Sequence, residues 1–566
     1  MHASKRVLIL LVALIAVLAA SAPAQESRLG KVEFETSGSA KAQAHFLRGL
    51  AALHSFWFEE ALEAFRESTQ IDPDFMMGYW GEAMAQNHPL WSEQDTPAAR
   101  LVIAKIKDTP KLSAREKAYL SAVKLLYGEG DKRARDVAYS AAMQQVYRDY
   151  PNDLDAAAFY ALSLLALVDS HDKSYRLQAQ AGAIALEVYR KNPDHPGAAH
   201  YIIHAFDDPD HAILALPAAR RYASIAPEAH HARHMPAHIF LQLGMWPEAA
   251  ASNESAWEAS DAWMKRKQLS ASVRDYHSLH WLLYSYLQQG RYSKAEELLN
   301  LMKRVMSESS YDNKLRPGYY ENNYANMAAA FVVETERWAL ASTLFPPSRA
   351  NDVVVSEPTA MGSHGSHNGS GAMPSTTNAA AAMSGAMTVR SSTASQTLPF
   401  LIRGLASAVN DSSSVNPGTE GLEALLQGTS SEGLVIGELE ISALAASMRK
   451  DHAKAAELMK TATRLEEAKG PPYGPPALIK PTHELFGEIL LRAGKPTEAA
   501  AMFRTSLLRQ PNRARSLLGA ARAAAQSGDK AGAVAAYEKF LKQWQQADES
   551  LPELREARDY VKQPRP

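Results

Sequence analysis

Gly49, Ala61, Phe65 and Pro73 fall at steps of 12, 4 and 8 in AHFLRGLAALHSFWFEEALEAFRESTQIDPDF. Near the other end of the chain Gly487, Ala499, Phe503 and Pro511 repeat those steps. This spacing constrains the fold more than any other feature. Small residues let paired helices approach closely, the aromatic fills the space between them, and proline ends the second helix. Between the two matches the pattern is degenerate but stays in frame. Pro193 and Pro227 are 34 residues apart, and so are Ala215 and Ala249. A fixed period of this length describes stacked helix pairs, each burying its apolar face only against its neighbours.

Most segments before residue 345 carry apolar residues at helical spacing, with few β-branched runs. Leu279–Arg304 reads as a further good unit, whereas Ser113–Gly128, Lys132–Tyr150 and Asp153–Asp169 read as irregular helix pairs. From about Pro346 to Thr397 the composition shifts to Ser, Gly, Ala and Met. Such a tract cannot bury enough apolar surface to fold and reads as a flexible linker. It divides an array over 25–345 from a second over 398–561, with a short tail at 562–566. Inside the second array the Pro-rich stretch Gly470–Pro481 reads as a stiff connector.

Lys5 and Arg6, the apolar run Val7–Ala20 and Ala22-Pro23-Ala24 together describe a cleavable secretory signal over residues 1–24. The expected product is periplasmic or secreted. No later run approaches 18 apolar residues, so no stable membrane insertion is expected after cleavage. The chain has no cysteine, which excludes a disulfide, a lipid anchor at the cleavage site and a thiol nucleophile. A net charge of −2 without a basic patch argues against nucleic acid as a partner.

The segments HSFWFEEALEAF, YWGEAMAQNHPLW, HYIIHAFDDPDHA, HMPAHIFLQLGMW and KPTHELFGEILL, with the small–aromatic–proline steps, resemble the tetratricopeptide-repeat family, in particular its large exported bacterial proteins. The resemblance implies an all-α fold, a right-handed solenoid of helical hairpins in two arrays. It also implies that one stripe of each first helix lines a concave groove that takes a protein or peptide partner. It offers no reaction.

The chemistry-bearing residues follow the same period. Eleven of the 19 histidines lie between His171 and His280. His200 and His234 are 34 residues apart, as are His204 and His238, and each pair 200/204 and 234/238 spans one helical turn. In frames starting at Pro196, His230 and Tyr276, the fifth place holds His200, His234 and His280. The ninth holds His204, His238 and Tyr284, and the second holds Gly197, His231 and His277. These places share one helix stripe. His54 and His88, also 34 apart, point the same way.

Three readings follow. The histidines are packing or capping residues; or they hold a metal; or they line a groove for a peptide or acidic ligand. For a metal, two helices with histidines at i and i+4 would bring four imidazoles to a common centre. The expected ligands are His200, His204, His234, His238, His277 and His280. His231, Tyr284, His54 and His88 would line the groove, with Asp207, Asp208 and Asp275 orienting rings or adding oxygen ligands. Without thiolates such a site suits zinc, copper(II), nickel or non-haem iron. No phosphate-binding loop, dinucleotide fingerprint, nucleophile elbow or HExxH occurs, so an enzyme on this scaffold would depend on the metal. The sequence reading is a binding scaffold whose His-lined groove holds a divalent transition metal, with a metal-dependent enzyme and a metal-free peptide platform as alternatives.

Overall fold

The computed structural model describes residues 28–169, 172–308, 318–346, 394–410, 432–476 and 480–563. The expected signal segment and nearly all of the linker, with its Met361, Met373, His364 and His367, lie outside them. Every described element is helical apart from one two-residue antiparallel pair, β1 (Asn87–His88) and β2 (Glu93–Gln94). The first hairpin is α1 (Ala40–His54) with α2 (Phe58–Ile71), followed by α3 (Met76–Met84) and α4 (Thr96–Ile103). Next come α5 (Ala114–Leu126), α6 (Lys132–Asp149), α7 (Leu154–Leu165) and α8 (Arg176–Lys191). The histidine-bearing region comprises α9 (Pro196–Ala205), α10 (Ala212–Ile225), α11 (His230–His234), α12 (Pro236–Gln242), α13 (Trp246–Lys267) and α14 (Tyr276–Gln288). Then α15 (Tyr292–Ser307), α16 (Tyr319–Thr335) and α17 (Ala341–Leu344) complete the first array. The second array holds α18 (Ala394–Asn410), α19 (Glu432–Met448), α20 (His452–Glu467) and α21 (Thr482–Arg492). It ends with α22 (Pro496–Arg509), α23 (Ala514–Gln526), α24 (Lys530–Gln543) and α25 (Pro552–Val561).

The repeat spacing has a direct steric meaning. A Cβ on Gly49 would lie 2.8 Å from the Phe65 ring, and one on Gly81, in the next first helix, would strike the same ring. Phe65 is therefore wedged between two successive first helices, fully buried. Gly487, Phe503 and Gly519 repeat the arrangement in the second array. First helices are buried around most of their circumference: every residue of α7 from Asp155 to Leu165 is buried. Second helices such as α2 bury one stripe only. Side chains close the helix starts. Ser113 and Glu116 form a capping box on α5, and Asp153 caps α7.

The two arrays pack together. One apolar core runs from Ala237 to Ala557 and draws residues from both sides of the linker. Trp246 Nε1 donates to the Asn512 carbonyl at 2.8 Å, Gln543 Nε2 donates to the Gln288 carbonyl at 2.7 Å, and Gln288 Oε1 accepts from Ala514 N at 2.9 Å. The turns at Gly244 and Gly290 need glycine twice over. Both have left-handed backbones (φ +64° and +68°), and Asn512 and Trp544 occupy the space a Cβ would take. Helix α16 also packs directly on α18, so residues 346–393 connect neighbouring helices of one solenoid. Among the described residues no helix is long and apolar enough to cross a membrane.

Candidate metal centre

His200, His204, His234 and His238 do not share one centre. They form two similar sets, each completed by the place-two histidine of the next hairpin. His200 and His204 of α9 meet His231 of α11, and His234 and His238 meet His277 of α14. Within each set one ligand-capable nitrogen per residue lies within 4.8 Å of the others. In the first set His200 Nε2 is 3.0 Å from His204 Nε2 and 3.2 Å from His231 Nε2. In the second, His234 Nε2 and His238 Nε2 are 3.2 Å apart. Two nitrogens bound tetrahedrally to one zinc at 2.0–2.1 Å stand about 3.3 Å apart, so these separations suit ligands of a common ion.

The protons point the same way. A neutral imidazole has one N–H and one lone pair. His200 Nδ1 lies 2.7 Å from the His54 carbonyl, which can only accept, so Nδ1 carries the proton and Nε2 the lone pair. His238 Nδ1 donates to Asp207 Oδ2 at 2.6 Å. His234 Nδ1 donates to Asn253 Oδ1 at 2.7 Å, and that amide is oriented by its own Nδ2 donating to the Ala249 carbonyl at 2.8 Å. With both rings neutral, His234 and His238 aim lone pairs at each other. Burial drives the His200 ring down to about 3 and holds His204, His231 and His234 well below 6.5, the neighbouring imidazoles adding to the effect. Neutral rings with converging lone pairs could hold a cation.

The surroundings hold these rings rigidly. His54 is fully buried behind the first set, bonded to Asp155 Oδ1 (2.8 Å) and the Tyr201 hydroxyl (2.9 Å). A Cβ on Gly197 would strike its ring, so the empty place two of that frame is where His54 sits. His195 caps α9 by accepting from Ala198 N, and its Nε2 lies 3.4 Å from Asp155. Burial opposes the charge on Asp155, yet the adjoining His195 and His54 rings outweigh it and hold the carboxyl well below the usual range. This third cluster is a buried charge-assisted network that supports the His54 backbone. Phe56 lies over His200 with ring centroids 4.3 Å apart, and its own backbone is left-handed (φ 52°), a strained conformation for an aromatic residue. Trp281 forms the other wall, 4.3 Å from His238 and 5.0 Å from His234. The 470–476 connector straps this side. Gln242 Nε2 donates to Asp207 Oδ1 (3.2 Å) and to the Pro472 carbonyl (2.8 Å), while Gly474 fits against Trp281.

Several expected site residues stand elsewhere. His280 belongs to neither set. Tyr284 is buried under the second array, accepting from Arg513 Nη1 at 2.7 Å. Asp208 binds His211, and Asp275 caps α14 and binds His230 at 3.1 Å. His88 pairs with Glu93 and stacks on Phe58, without joining a set. His54, Tyr284, Asp207, Asp208 and Asp275 are all buried, so none presents a face to a peptide. The expected groove is filled here because the corner between α1 and α2 packs onto α9. Sequence reasoning missed Asp155, His195, Asn253 and Phe56. His195 had a signal, one residue before a helix-starting proline; Asp155 lies 101 residues from His54 and had none.

Tetratricopeptide-repeat models match residues 42–75 and 485–548. No curated protein matches the chain. Among solved structures it is similar to the APC/C hetero-tetramer Cut9–Hcn1, with TM-score 0.32 and 10% identity over 94% of this chain and 78% of that one. It is also similar to yeast Tom70, with TM-score 0.23 and 9% identity over 92% and 88%. Likenesses this distant carry no partner or reaction across. The chain is an all-α solenoid that carries tetratricopeptide repeats near both ends.

Proposed function

We propose that this protein is an exported repeat scaffold that holds divalent transition-metal ions on two three-histidine sets. One observation carries the reading: His234 and His238 face each other through Nε2 at 3.2 Å while both Nδ1 atoms are committed as donors. Between neutral rings two lone pairs in that position repel, and a shared cation removes the conflict. Asp207 and Asn253 behind the rings play the part that outer partners play at metal sites, fixing tautomer and orientation. Nitrogen-only sets suit zinc, copper(II), nickel or iron. The repeats support a second role, protein binding, on surfaces other than the filled histidine face. Export is supported by the basic, apolar and small-residue segments of the first 24 residues. Protein recovered from the periplasm or medium should begin near Gln25.

Metal analysis of the full chain, before and after chelation, tests the site. The native protein should retain metal through gel filtration. His234→Ala with His238→Ala should empty one set, and His200→Ala with His204→Ala the other, each with unchanged far-UV circular dichroism. His280→Ala should retain the native content. Equal metal in all four proteins, or none in the native one, refutes the assignment. A metal-dependent enzyme is the second reading, favoured by one feature: each set supplies three ligands, leaving an ion at least one open position, as catalytic sites do.

A further inference from the structure

The two sets adjoin. The rings of His204 and His238 are 6.0 Å apart between centroids, and so are those of His231 and His234. Within the sets the rings of His200 and His204, and of His234 and His238, are 4.7 and 5.1 Å apart. Resting on the metal reading above, we propose that the sets hold two ions side by side and that the pair takes up a small oxyanion of the phosphate class between them.

The argument is one of charge and open coordination. Two divalent ions bring four positive charges, and six neutral imidazoles offset none of them. The carboxylates at hand face ring N–H groups. Asp207 binds His238, Asp275 binds His230, and Asp208 is turned to His211. An excess of positive charge therefore stays at a partly buried face, where leaving it uncompensated is costly. Three protein ligands per ion also leave positions for an outside donor, and adjacent ions in two-metal sites clamp one oxyanion between them. Exposed residues flank both sets. His277 is exposed, and Trp91, beside His231, is 50% exposed.

Cobalt(II) makes this testable because its visible absorption reports its ligands. The full chain, stripped and reloaded with cobalt(II), should retain two ions after gel filtration. Inorganic phosphate should then change the visible spectrum saturably at millimolar concentration or below, whereas chloride should not. Phenyl phosphate, tested alongside, distinguishes a site for the free anion from one that accepts a monoester; a response to either supports the proposal. His204→Ala, left with one complete set, should bind phosphate at least about tenfold more weakly. If that variant misfolds, the native titration decides alone. Two retained ions with no response to either phosphate overturn the oxyanion site and leave the metal reading standing. One retained ion overturns the paired centre, and no retained metal overturns both readings.

Discussion

Two of the buried polar regions among the described residues differ in kind. In the seam between the arrays, Arg513 is fully buried and forks onto Glu484 through Nε (2.7 Å) and Nη2 (3.0 Å). It also reaches Glu334 (2.7 Å) and donates to the Tyr284 hydroxyl. Lys480 adds bonds to Glu484 and Glu488, and Ser516 donates to Glu484 at 2.7 Å. Burial works against the Glu484 charge, but Arg513 and Lys480 overcome it and hold the carboxyl far below its usual range. Donors there meet acceptors. At the histidine face, neutral rings set acceptor against acceptor. The Arg513 network is satisfied within the chain, whereas on the proposed reading the histidine face is completed by a cation.

The largest effect should come from the seam. Arg513→Met leaves Glu484 and Glu334 buried without their main partner, and should cost about 3–5 kcal/mol in denaturant unfolding while metal content per folded chain stays the same. Next is the histidine face. Adding metal at a hundred times its dissociation constant should stabilise the native chain by about 2.7 kcal/mol, an increment that His200→Ala with His234→Ala should abolish. A double variant that loses as much stability without metal as Arg513→Met would make the two regions alike. A subtler contrast is Asp207→Asn, which should weaken metal binding by about 10–100-fold in competition with a chelator and leave the metal-free protein nearly unchanged.

Glu440, inside the second array, sharpens the contrast through pH. Burial, helped by the Glu466 charge, pushes its carboxyl well above the ordinary 4.5, and its Oε1 has no hydrogen-bond partner. The folded chain therefore holds this proton more tightly than the unfolded chain. Its contribution to stability is full below the unfolded value and falls as pH rises toward the folded one. Glu440→Gln should match the native chain at pH 4 and exceed it at pH 8 in chemical denaturation. The smallest effect is optical. Copper(II) should quench fluorescence from Trp281, whose ring lies 4.3 Å from that of His238, and Trp281→Phe should remove that share of the quenching.

Much of the fold was legible because its determinants are local. Gly49, Phe65 and Gly81 are three points of one packing contact, and their spacing is written along the chain. The seam was not legible. Glu334, Glu484 and Arg513 look like ordinary surface charges until two distant helix pairs meet. The histidine face lies between these cases. Pairs at i and i+4 on a helix point one way, so 200/204 and 234/238 stood out. The third member of each set comes from the following hairpin, and its choice depends on the offset between hairpins, which a period cannot supply. His231 was therefore expected only as lining, and His280 as a ligand, when the offset brings in places two instead.

The most direct test is X-ray absorption at the metal edge of zinc-loaded full-length protein. The account predicts a first shell of three imidazole nitrogens at about 2.0–2.1 Å, with the imidazole multiple-scattering pattern and one or two oxygens. A shell of oxygens alone, or one lacking imidazole scattering, would contradict it.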